Sequence, residues 1–232
     1  MTETRRQSGW ILALAWSAAM VCALAIDRPV AQWVHDAVPI DKRVHLTHQI
    51  IEIVKLPGWF PFTLCVAAAL EFFHRRRWAV ALSLSGVAVG GSYSIIKWIA
   101  GRHRPVVGIA PWSFHPFPKG LSGIWREQAL CFPSGHASLS FSSAMCLALL
   151  LPRWRWAFFA IAAVTATERI LENAHYVSDV VAGAGLGMLL GSIITHRLMA
   201  YPPPAPPGGG QVHSSSRAKD PQSAAEIPAR VS

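Results

Sequence analysis

The chain has 232 residues, 52% of them hydrophobic and only 14% charged, with a formal net charge of +9. Ordinary soluble domains carry about 25% charged residues, so this composition excludes a soluble globular chain and predicts an integral membrane protein. The positive charge does not imply a nucleic-acid partner, because Lys and Arg sit in short clusters between apolar runs, the pattern of loops flanking membrane helices.

Six apolar spans are predicted, at 10–26, 58–73, 78–100, 137–151, 154–168 and 179–196. Several are shorter than the ~20 residues that cross a bilayer as helix. The expected fold is all-α: a six-transmembrane-helix bundle over 10–200, with a cytoplasmic N-terminus at 1–9 and a tail at 201–232. The first span follows Arg5 and Arg6, and Ala23-Leu24-Ala25 resembles a cleavage site. Its apolar run is longer than the roughly 7–15 residues of a signal core, so an uncleaved anchor is expected. Beyond it, Val30, Trp33, Val34, Ala37 and Val38 recur at helical spacing. They fit either a short interfacial helix or packing beneath the loops. The second span can begin earlier, within HQIIEIVKL, with Pro57 as a kink.

Cys22, Cys65 and Cys146 lie inside apolar runs, where a free cysteine acts as a small hydrophobe. Only Cys131 borders a loop, so no disulfide framework or cysteine-rich zinc site is expected. His45 and His48, three apart, read as an interfacial pair in preference to a shared metal site. The tail from Tyr201, YPPPAPPGGGQVHSSS, is too rich in Pro and Gly to form a packed core and is expected to be disordered.

Basic residues in short loops set orientation. Arg5 and Arg6, Arg75 to Arg77, Arg153 and Arg155, and Arg197 mark alternate loops, which become cytoplasmic. The loops at 27–57, 101–136 and 169–178 then face outward, at the periplasmic or exoplasmic side of a bacterial inner membrane.

Three polar clusters fall on that outer side. In KWIAGRHRP, Lys97 and Arg104 are seven apart, nearly two turns if the helix continues, so both cations project from one face. Gly86, Gly90 and Ser94 extend this face as a small-residue stripe expected to point into the bundle. In Pro133-Ser134-Gly135-His136 a loop enters the fourth span. The unpaired N–H groups of a helix start suit an anion, and His136 can give or take a proton near neutral pH. In ERILENAHYVSDVVAG, His175 and Asp179 are four apart, so on a helix the carboxylate can hold one imidazole nitrogen and leave the other free as base or nucleophile. Gly183, Gly187 and Gly191 continue that face as a packing stripe. Ionisable groups pointing into a membrane bundle are costly and usually functional. Lys97, Arg104, Arg169, a helix N-terminus and two histidines suit a phosphate group: cations cradle its oxygens, one imidazole attacks phosphorus and the other protonates the leaving oxygen. No cluster of Asp and Glu suggests a magnesium site.

Lys-x6-Arg-Pro, Pro-Ser-Gly-His and Arg-x5-His-x3-Asp, in this order over residues 97–179, resemble the three signatures of the type 2 phosphatidic acid phosphatase superfamily, and the six-span layout is similar to its integral-membrane branch. The resemblance implies a phosphatase or diphosphatase that needs no metal or other cofactor and works through a phosphohistidine. It makes His175 the nucleophile, Asp179 its partner and His136 the acid, with Lys97, Arg104, Ser134, Gly135 and Arg169 holding phosphate. The third signature usually begins Ser-Arg, where this chain has Glu168-Arg169. Glu168 either braces Arg104 or Arg102 or points away.

The expected substrate is a phosphorylated membrane lipid: phosphatidate, phosphatidylglycerol phosphate, polyprenyl diphosphate or lipid A. Trp112, Phe114, Phe117 and Trp125 in the loop before the fourth span either sit at headgroup level or fold as a lid. Three alternatives stand beside hydrolysis: a phosphotransferase of the same superfamily, a non-enzymatic lipid transporter or binding protein, and a vanadium haloperoxidase. Six membrane spans disfavour the last, and the intact histidine pair disfavours the transporter.

Overall fold

The computed structural model describes residues 3–37, 51–118 and 129–200. Expectations for His45, His48, Trp125 and the tail from Tyr201 lie outside these residues. The chain forms α1 (Glu3–Ala37), a bent pair α2 (Ile51–Gly58) and α3 (Phe60–Phe72), then α4 (Arg76–Ala100), α5 (Gly135–Leu150), α6 (Arg155–Leu171) and α7 (Val177–Ala200). No strand occurs among the described residues, only the isolated bridges Arg102–Phe114 and His103–Leu130.

Among the described residues three segments are long and apolar enough to cross a membrane, Ala13–Ala37, Arg76–Ala100 and Val177–Ala200. The α2–α3 pair, bent by 68° after Pro57, makes a fourth if it counts as one broken span. Proline 57 lies in the 3-10 turn Leu56–Gly58, where a helix cannot use its missing N–H; the expected kink is there.

The first span is longer than expected. It does not stop near residue 26 to leave a separate interfacial helix, because α1 continues through Pro29 to Ala37. Ala31 and Val34 are buried on its inner face, whereas Trp33 and Ala37 are exposed, so the periodic residues are divided between two faces of one helix; Val38 lies outside the described residues.

Helix α5 packs against α4, α6 and α7, most extensively against α7. Its small residues permit this. The glycine stripe of α7 lies directly on the α5 backbone: an added Cβ at Gly183 would fall 2.5 Å from the Ser134 carbonyl oxygen, and one at Gly187 would fall 2.1 Å from that of Ser138. The α5 hydroxyls fold back on their own helix, Ser138 Oγ donating to the Ser134 carbonyl at 2.8 Å and Ser140 Oγ to that of Ala137 at 3.2 Å. The α4 stripe behaves differently. Gly86 is packed against the Phe60 ring, but Gly90 faces open space.

Alternation of helix directions gathers the basic clusters at one end of the bundle, where Arg77 donates to the Leu198 carbonyl. The C-termini of α4 and α6 and the N-termini of α5 and α7 meet at the other end. Replacing Gly187 by Val forces α7 off α5 and is expected to destabilise the protein by about 2–3 kcal/mol, read as a lower melting temperature in detergent. Gly90→Val leaves that temperature unchanged.

Candidate active site

Helix α4 does not continue to Arg104. It ends at Ala100, and Gly101 caps it in the left-handed region at φ 59°. The Gly101 position admits no side chain: a Cβ there would lie 1.7 Å from the His115 carbonyl oxygen. Lys97 and Arg104 therefore do not share a helix face. Lys97 is in the last helical turn, buried beside the Tyr93 ring at 5.2 Å. Arg104 reaches the site from the loop, held by its N–H to the Ala129 carbonyl, and its Nε is buried without a hydrogen-bond partner among the described residues. Burial lowers its pKa from the ordinary value.

His175 is likewise not on a helix but in the turn before α7. Its N–H, like that of Ala174, donates to the Arg169 carbonyl at 3.2 Å, which folds the 169–175 turn back on the end of α6. Asp179 stands in the first turn of α7 and caps the segment from below, its Oδ2 accepting the Tyr176 N–H at 2.8 Å. His175 Nδ1 lies 3.6 Å from the same oxygen. That is ion-pair range but too long for a hydrogen bond. Asp179 is instead gripped by Arg102, whose Nη1 donates to Oδ1 at 2.5 Å. Burial pushes the His175 pKa down to about 4; Asp179 opposes the shift, while Lys97 and Arg104 add to it.

Ser134 caps α5, its Oγ accepting the Ala137 N–H at 3.5 Å, and its own N–H donates to the Asp179 carbonyl at 2.9 Å. That bond ties the start of α5 to the start of α7. Gly135 lies against the Tyr93 ring, an added Cβ falling 3.1 Å from it. His136, half-buried, backs onto Gly58. Its ring feels the charges of Arg169, Lys97 and Arg104 and lies within electrostatic range of His175. The three sequence clusters converge on one end of the bundle.

Glu168 braces neither Arg104 nor Arg102. It pairs with its neighbour, accepting from Arg169 Nε at 2.6 Å and Nη2 at 3.0 Å. Arg169 Nη2 also reaches Glu172, and Glu172 meets Lys55 at 2.7 Å, whose Nζ bonds Glu52 at 2.8 Å. A ladder of alternating charges thus runs from the site along α2. Beside it opens a cavity of about 510 Å³ lined by Glu52, Lys55, Leu56, Trp59 and His136. Deeper by one turn of α5, a second cavity of about 210 Å³ is apolar, lined by residues including Phe62, Val66, Leu147 and Phe158. The loop aromatics are divided: Phe114 lies 5.3 Å over the Arg102 guanidinium and Phe117 packs on Trp98 at 4.7 Å, while Trp112 is exposed.

Sequence reasoning passed over Asp27, Lys55, Glu172 and Ser178, and named Arg102 only as a possible partner of Glu168, not of Asp179. Asp27 had a usable signal, an acid at the edge of a long apolar run.

A family model described as PAP2 superfamily matches residues 78–201, more than half of the chain. The chain belongs to the PAP2 superfamily. A lipid A 1-phosphatase of Rhizobium etli is 35% identical over 113 residues, 47% of this chain and 46% of that protein. An undecaprenyl-diphosphatase of Sulfolobus acidocaldarius is 30% identical over 131 residues, 56% of this chain and 58% of that one. A decaprenylphosphoryl-5-phosphoribose phosphatase of Mycobacterium tuberculosis is 32% identical over 140 residues, 59% and 70%. This PAP2 chain thus aligns with about half the length of the first two relatives. In three dimensions it is similar to the crystal structure of a transmembrane PAP2-type phosphatidylglycerolphosphate phosphatase from Bacillus subtilis, with a TM-score of 0.55 at 17% identity, covering 80% of this chain and 93% of that one. At that identity the likeness carries the fold.

A buried imidazole with a lowered pKa makes stability depend on pH. The unfolded chain takes up a proton near the ordinary imidazole value of 6.5, the folded one only near 4. The His175 contribution is complete above pH 6.5 and is lost as pH falls to 4, on the order of 3 kcal/mol in all. His175→Gln should flatten the pH dependence of the unfolding midpoint across that window.

Proposed function

We propose that this PAP2 protein is a lipid phosphate phosphatase working through a phosphohistidine. The observation that carries the reading is the convergence of two imidazoles, three cations and the α5 N-terminus at one end of an apolar bundle. A phosphate group sits against Lys97, Arg104 and Arg169, the Ser134 hydroxyl and the Gly135 N–H, the Ser134 N–H being held by the Asp179 carbonyl. The buried Arg104 Nε, which lacks a protein acceptor among the described residues, is suited to a phosphate oxygen. Neutral His175 attacks through Nε2: the P–N bond forms as the bond from phosphorus to the leaving oxygen breaks, and His136 gives that oxygen a proton. Asp179 balances the positive charge that develops on His175. Water then attacks phosphorus, His136 takes its proton, and the P–N bond breaks to regenerate His175.

The leaving group lies on the His136 side, in the cavity lined by Lys55 and Trp59, and the apolar cavity one turn deeper suits hydrocarbon. All six helical segments cross the membrane, with α2 and α3 as one broken span and α5 and α6, at 16 and 17 residues, as short ones. Both termini are cytoplasmic and the site opens to the periplasmic or exoplasmic face. The relatives' names point to lipid A, an isoprenoid diphosphate or an isoprenoid phosphoribose as the substrate class.

The test uses the full chain in detergent with phosphatidate, phosphatidylglycerol phosphate, undecaprenyl diphosphate and lipid A. Phosphate release from at least one, undiminished by EDTA, is expected. His175→Ala should cost about 10⁴-fold or more in kcat. Full activity in that variant would remove histidine from the chemistry, and loss of turnover with EDTA would place a metal in it. Because His175 acts as the neutral nucleophile, its acid limb in kcat/KM should fall near pH 4, well below 6.5.

A further inference from the structure

Behind His175 lies a cluster of three ionised side chains that water does not reach. Asp27 on α1, Arg102 in the loop after α4 and Asp179 on α7 each have a fully buried side chain. Arg102 Nη2 donates to Asp27 Oδ2 at 2.7 Å, and its Nη1 donates to Asp179 Oδ1 at 2.5 Å. The remaining groups are satisfied locally. Ser178 donates to Asp27 through its N–H at 2.9 Å and its Oγ at 2.5 Å. Arg102 Nε donates to the Pro111 carbonyl at 2.9 Å, and the guanidinium lies 4.2 Å from the Tyr176 ring centroid.

One guanidinium between two carboxylates leaves a net charge of −1. A salt bridge made of Arg102 and Asp179 alone would have summed to zero, and burying a third charge is expensive unless it has a use. The excess charge acts toward the site, where Arg104 also lies within electrostatic range of Asp179. Asp179 is the member of the cluster that faces His175, at 3.6 Å, and His175 becomes cationic as its Nε2 bonds to phosphorus. In so dry a setting one uncompensated charge at that range acts strongly on the reacting group.

Resting on the phosphohistidine reading, we propose that Asp27 is a positioning residue for the reaction. It neutralises Arg102, so that the negative charge of Asp179 stays available to His175. Arg102 holds Asp179 in place, and Asp27 prevents that grip from cancelling the charge it holds. Asp27 does not touch the substrate. It also binds the N–H one residue before Asp179, which ties the start of α7 to α1.

The charge sum separates this role from a merely structural one. With the full chain in detergent and whichever of the four lipids the wild type turns over fastest, Asp27→Asn should lower kcat by about 10- to 100-fold and leave KM within about twofold. Adding Arg102→Gln restores the sum to −1 by removing the positive member. The double variant should then recover at least about fivefold of the kcat lost by Asp27→Asn. A structural cross-link predicts the reverse, since the double variant has fewer contacts. The proposal is overturned if Asp27→Asn keeps the wild-type kcat, or if the double variant is no faster while both retain the wild-type melting temperature. Should Asp27→Asn fail to fold, the double variant is compared with wild type directly: kcat within about tenfold supports the proposal, and any larger loss overturns it. If wild type and His175→Ala both release no phosphate from any of the four lipids, the phosphatase reading falls and this proposal with it. An active wild type alongside an equally active Asp27→Asn overturns the proposal alone.

Discussion

The grip of Arg102 on two buried carboxylates is the constraint on which the site rests. It joins three parts of the chain far apart in sequence: α1, the loop after α4 and the start of α7. Charges without water are tolerated only when every donor and acceptor is answered, and here Ser178, Tyr176 and the Pro111 carbonyl complete the set. The relative placement of these segments is consequently narrow. A small shift of α1 would leave a guanidinium or a carboxylate uncompensated in an apolar interior.

The other half of the site is built from closeness of backbone. Glycines on α7 let α5 approach until its carbonyls touch the opposing helix, and the Ser134 N–H then reaches the Asp179 carbonyl. Hydrogen bonding and small-residue packing thus place the α5 N-terminus, with its unpaired N–H groups, beside the His175 turn. The same closeness excludes water, which explains why His175 is held neutral far below the usual imidazole range. A neutral imidazole is the form that carries a nucleophilic lone pair.

Arg169 illustrates how an apparent misfit in a motif is absorbed. A glutamate beside an arginine proposed to bind phosphate looks unfavourable, yet Glu168 and Glu172 flank the guanidinium and hold its orientation. The charge continues through Lys55 to Glu52, so the carboxylates are shared among cations. In the proposed reaction the phosphate would compete with these carboxylates for Arg169.

Composition and local pattern in the sequence determined the apolar helical bundle, the kink at Pro57, the glycine stripe of α7 and the three polar clusters, because each depends on neighbours within a turn or two. The same local logic misled where a helix ended. Lys97 and Arg104 were placed on one helical face, and so were His175 and Asp179, but Gly101 in the left-handed region and the 169–175 turn break both helices. The approach of these residues is real, and its cause is loop geometry. The pairing of Asp27 with Arg102 was beyond reach because it arises only on contact, across a separation of 75 positions in the sequence. Which cation faces which carboxylate is decided by desolvation across helices, and no periodicity along one segment encodes it. Only the tertiary structure, by closing the bundle around these charges, decided that Glu168 serves Arg169 and that Arg102 serves Asp179.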